Sequence, residues 1–109
     1  MTMTAILASV DLTTTSNTTL LGPTSDTRSN VLINLTNRGG STAKVRIAIA
    51  ATATPANGEW IEYDQPLAAA GAGGNVLERG GLVLPSGKYI VVRTDTTGVS
   101  ATVSGLGQS

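Results

Sequence analysis

Residues 44–50, Lys-Val-Arg-Ile-Ala-Ile-Ala, alternate so that Val45, Ile47 and Ile49 share one face and Lys44, Arg46 and Ala48 the other. That period of two is the signature of a half-buried strand. In residues 29–36, Val31, Ile33 and Leu35 fall on one face and Asn30, Leu32 and Asn34 on the other. Between the two segments, Asn37-Arg-Gly-Gly-Ser41 supplies residues that tolerate positive φ, so a hairpin is expected. A second pair is expected from residues 89–94 and 99–103 around residues 95–98. Its inward positions are Val91 in the first strand and Val99, Ala101 and Val103 in the second.

Other strands are less regular. Residues 60–63 follow the Asn57-Gly58 turn, and Pro66 is expected to end them. Residues 76–79 and 82–84 flank Gly80-Gly81, where a bend or bulge is expected. Pro85-Ser-Gly87 turns the chain into the Tyr89 strand. Near the start, Ile6, Ala8, Val10 and Leu12 alternate weakly, and a polar tract at 13–19 leads to Leu20-Leu21. Helical spacing extends over no more than a turn, and the alanine-rich residues 67–73 are cut short by the glycines that follow. Seven or eight short strands punctuated by Gly, Asn and Pro predict an all-β fold, an antiparallel β-sandwich of jelly-roll or immunoglobulin-like type. One domain is expected, with residues 1–28 as an N-terminal strand and Thr/Ser-rich arm and residues 29–109 as the sandwich module.

Composition narrows the chemistry. The 109 residues include 17 Thr, 9 Ser, 6 Asn and 13 Gly but no His, Cys or Phe. Ser-His-Asp and Cys-His nucleophile systems, thiolate chemistry, ordinary zinc sites and disulfides are therefore excluded. Seven basic residues balance seven acidic ones, so no net field draws the chain to nucleic acid or anionic lipid. Residues 47–53, the longest apolar-looking run, are far too few to span a membrane, and Met1-Thr-Met-Thr lacks a basic leader start. A soluble, unexported chain is expected, with no nucleic-acid or membrane partner.

Candidate chemistry is thin. The phosphate-loop-like residues 81–89 have the wrong glycine spacing and lead into a strand, and residues 71–76 lack the last glycine of a dinucleotide fingerprint. Glu59, Glu62 and Asp64 form the one carboxylate cluster. In a plain strand, Glu62 and Asp64 share a face with Trp60, which suggests a sugar platform beside two acids. Three aromatics give little material for a pocket, so no catalytic residue, metal or cofactor is expected. Trp60 and Tyr63 are expected to anchor an interface or a binding surface. Leu32 and Ile90 are expected on outer strand faces, adding apolar surface beyond what one thin core uses.

Residues 32–49, 61–67, 77–84, 86–92 and 99–105 together resemble a small β-sandwich module of tailed-bacteriophage virion proteins. That module occurs alone or at the ends of tail, neck and fibre proteins, notably in phages of cyanobacteria. The resemblance covers residue 30 to the C-terminus and implies a non-enzymatic structural role in the virion, assembled in the host cytoplasm. It implies partners among copies of the chain itself, around a three-fold axis, and among capsid, neck or tail proteins. A chain of this length fits a capsid decoration or tail- or neck-associated accessory protein. The alternative is a receptor- or carbohydrate-binding module centred on Trp60 and Tyr63.

Overall fold

The computed structural model describes residues 2–109. Eight strands are formed: β1 (Met3–Asp11), β2 (Thr18–Leu21), β3 (Arg28–Asn37), β4 (Ala43–Ala50), β5 (Trp60–Leu67), β6 (Val76–Pro85), β7 (Tyr89–Thr94) and β8 (Val99–Gln108). They build two four-stranded sheets, ordered β1-β8-β3-β6 and β2-β7-β4-β5. The antiparallel pairs β4–β5, β3–β6, β2–β7 and β1–β8 are nested one inside the next. Rolling such a nested ribbon into two sheets gives the jelly roll, which settles the choice between the two expected sandwich types.

This winding overturns both expected hairpins. β3 and β4 lie in different sheets, as do β7 and β8, so residues 38–42 and 95–98 are crossovers between layers. The turn residues at those places do turn the chain, but their chemistry carries no information about which strand is met afterwards. Asn37 ties the first crossover down. Its side chain is fully buried; Nδ2 donates to the carbonyls of Ser41 (2.8 Å), Leu67 (3.1 Å) and Ala68 (3.1 Å), and Oδ1 accepts from the Gly39 amide (2.9 Å).

The core is the space between the sheets. Val31, Ile33 and Leu35 of β3 face Val45 and Ile47 of β4, with Val99, Ala101 and Val103 of β8 beside them, as their alternation predicts. β7 departs from expectation. Ile90 points into this core and is fully buried, whereas Val91 lies on the other face, in a second cluster with Ala48 and Ala50. Three consecutive β-branched residues carry no alternation, so the strand's phase is invisible from its own sequence. The alanine-rich stretch after β5 forms no helix.

Bulges shape the sheet edges. In β6, Gly80 and Gly81 together oppose the single residue Leu32, and Gly81 takes φ +70°, a conformation that favours glycine. β5 continues through Pro66 to Leu67. Proline is accommodated there because β5 is an edge strand. An ion pair between Arg79 of β6 and Glu62 of β5 joins the two sheets along that side.

Candidate functional site

Two surface patches draw on the expected residues, one on each outer face. On the sheet β1-β8-β3-β6, strand register sets successive rows across the four strands. One row holds Ala5, Leu106, Asn30 and Val83; the next holds Leu7, Ser104 and Leu32 above the Gly80-Gly81 bulge. Met3 and Val76 lie on the same face farther along β1 and β6. Among the described residues, six of the eight exposed large apolar side chains therefore share one face: Met3, Leu7, Leu32, Val76, Val83 and Leu106. Neither central row carries a charge; Arg28, Glu78 and Asp11 stand in rows toward the ends.

The bulge opens a groove of about 490 Å³ in this face, lined by Asn30, Val31, Leu32, Gly81, Val83, Ser104 and Gly105. Gly105 is required by close approach, because a Cβ there would overlap the Asn30 carbonyl oxygen. Leu32 thus sits where it was expected. Sequence reasoning missed Leu7, Leu106 and Val83, whose shared face becomes visible only once β8 is placed between β1 and β3.

On the opposite sheet, Trp60 and Tyr89 roof the second cluster over Ala48, Ala50 and Val91. Trp60 meets Tyr63 edge to face, with centroids 5.9 Å apart and planes at 74°. The Arg46 guanidinium lies 3.9 Å from the Tyr63 ring centroid, while its Nε donates to Asp64 Oδ1 at 2.7 Å. That hydrogen bond holds the Asp64 carboxyl below its ordinary range and raises Arg46. Trp60 and Tyr63 are brought together, and the structure adds Arg46 and Asp64. This grouping was not legible because Tyr63 and Asp64 both oppose Arg46 across a bulge, with Asp64 at φ +54°.

The same irregularity disperses the carboxylates expected to share a site. Glu62 pairs with core-facing Ile47 and reaches Arg79 on the other sheet, while Asp64 binds Arg46 on the outer face. Glu59 accepts the backbone amides of Ala56 and Ala51, which hold its carboxyl low. Each acid is engaged with a different partner. Among the described residues, no group of three or more His, Cys, Asp or Glu could hold a metal ion, and no helix is long and apolar enough to cross a membrane.

No family model, curated protein or solved structure matches the chain.

Proposed function

We propose that this chain is a non-enzymatic structural protein of a bacteriophage virion, docking on a capsid, neck or tail protein. The observation that carries the reading is the gathering of Leu7, Leu32, Val83 and Leu106 in the two uncharged central rows of one outer face. Apolar surface of this kind is characteristic of a face that another protein covers. The jelly roll is used by viral capsid domains, and the resemblance in residues 30–109 points the same way; both are analogies that set the class of role, not the location. The carbohydrate-binding alternative has weaker support: Trp60 roofs a buried cluster and, although Tyr63 is 59% exposed, Arg46 occupies one face of its ring.

Docking through such a face depends on contact area rather than on Coulomb attraction. Washing purified particles at about 1 M salt, where screening acts within about 3 Å, should leave the chain bound. Its absence from the particles by mass spectrometry, or its release by salt with the shell intact, would overturn the proposal.

A further inference from the structure

The four sheet edges are not alike. β2 has only four residues and its register slips between Thr19 and Leu21. β5 has two register breaks, three acids nearby and Pro66. β6 carries the double-glycine bulge, the charges of Glu78 and Arg79, and a terminal proline. Each of these is a device that blocks a further strand from adding. β1 has none. It runs nine residues in unbroken register with β8, with no Gly, Pro, Lys or Arg, and its one charge is Asp11 at its end.

The hydrogen-bonding phase of β1 follows from its two ends. Leu12 donates its amide to the Val99 carbonyl, and Ser109 donates to the Thr2 carbonyl. In a regular antiparallel ladder the even-numbered residues of β1 therefore bond to β8, and Met3, Ala5, Leu7, Ser9 and Asp11 present N–H and C=O to the free edge. Leu7, the central residue, is also 78% exposed, the most of any large apolar side chain among the described residues. Ile6, Ala8 and Val10 face the core yet stay half-exposed at this open side of the sandwich.

We propose that a second copy of this chain occupies that edge, β1 pairing antiparallel with the partner's β1 about a two-fold axis at Leu7, so that two four-stranded sheets become one of eight. The strand is self-complementary in this register. Leu7 meets its own copy, Ala5 meets Ser9, Ile6 meets Ala8 and Met3 meets Asp11, so no like charges are opposed. The five edge-facing residues of each copy supply about ten hydrogen bonds, the number found in a standard interface. Nine residues at ~3.4 Å across the molecule's 19 Å shortest extent give an edge of ~580 Å² per copy. The total of ~1,160 Å² clears the ~1,000 Å² a specific contact needs. A two-fold contact of this kind closes at two copies, in place of the three-fold association the resemblance implies. Pairing also sets the two apolar faces side by side, with both Leu7 side chains at the middle of one larger docking surface.

The inference rests on the edge and not on the virion reading. A dimer absent from particles would leave it standing, and a particle-bound monomer would overturn it alone. Light scattering of the free chain at about 100 μM should give twice 11.0 kDa. Leu7→Pro removes only an edge-facing N–H and should give a monomer with cooperative unfolding retained, whereas Ala8→Pro breaks the β8 ladder and should unfold. Leu7→Lys leaves the backbone unchanged and supplies a second test, opposing two like charges and weakening association about tenfold or more at low salt. Hydrogen exchange separates this edge from any other: amides of Ala5, Leu7 and Ser9 should be slow in the parent and fast in Leu7→Lys. A parent monomer, a trimer, or a dimer in which those three amides exchange fast would each refute the proposal.

Discussion

Replacing Asn37 tests the crossover on which the two-layer winding depends. Asn37→Ala deletes three bonds donated by Nδ2 and one accepted by Oδ1. Nδ2 carries two hydrogens, so its three contacts amount to two full bonds, and with the accepted one, at a net ~1 kcal/mol each, the upper figure is ~3 kcal/mol. Only the bond to the Leu67 carbonyl is fully buried; water can reach the other three sites and restore part of what is lost. The expected cost is ~2–3 kcal/mol, which lowers Tm by roughly 10–20 °C in a domain of this size. Thermal and urea unfolding followed by circular dichroism would measure it. Asn75→Ala, which loses one half-buried bond of 3.2 Å to the Asn37 carbonyl, should cost no more than ~1 kcal/mol. Asn37→Asp should be worse than Ala at neutral pH, since a carboxylate would face three carbonyl oxygens. That surroundings raise its folded-state pKa above the unfolded value. The variant's relative stability is therefore fullest below the unfolded pKa and is lost as pH rises through the folded one. An Ala variant within ~0.5 kcal/mol of the parent, or an Asp variant no worse than Ala at pH 7, would refute this account.

The remaining predictions are simpler. Ile47→Asp puts an unpaired carboxylate at a fully buried position and should abolish folding, while Arg46→Ala loses a partly exposed ion pair and a ring contact and should cost ~1 kcal/mol; equal urea midpoints would refute the strand's facing. Gly105→Ala should unfold the protein because its Cβ meets the Asn30 backbone, whereas Gly40→Ala, with nothing within 4 Å, should melt within a few degrees of the parent. Glu59, Asp64 and Asp95 are all held below their ordinary values of 4.5, 3.8 and 3.8, Asp95 chiefly by the Lys44 amide. Their stabilisation is complete above those values and is lost as pH falls through the folded-state ones, so Tm should hold steady down to about pH 5 and drop below about pH 4. Asp95→Asn should flatten that drop, and an unchanged acid limb would count against its backbone hydrogen bond.

Strand existence was legible because alternation is a local signal: β3, β4 and β8 show their inward sets without reference to anything else. Pairing was not. Asn37-Arg-Gly-Gly and Asp95-Thr-Thr-Gly look like hairpin turns, and only the nesting of distant strands makes them bridges between layers. The inward position of Ile90 is not legible because a β-branched run has no phase of its own, and both faces of β7 are packed, one against the core and one in the cluster with Ala48, Ala50 and Trp60. At the candidate sites, Trp60, Tyr63 and Leu32 stood out by residue type and position. Arg46 and Asp64 join the aromatics through a bulge, and the apolar face is assembled from strands that are far apart in sequence.

The nesting of strand pairs also bears on the order in which the chain comes together. Only residues 51–59 separate β4 from β5, whereas residues 12–98 separate β1 from β8. Loop-closure entropy grows as the logarithm of length, so joining the outermost pair directly costs about 2 kcal/mol more than joining the innermost one. Once the inner pairs have formed, that difference disappears, because each completed pair shortens the effective loop for the next. The roll is therefore expected to close outward from β4 and β5, with β1 docking last. β1 is bonded along one edge only, and a partner strand on its free edge would secure the piece of the fold that arrives latest.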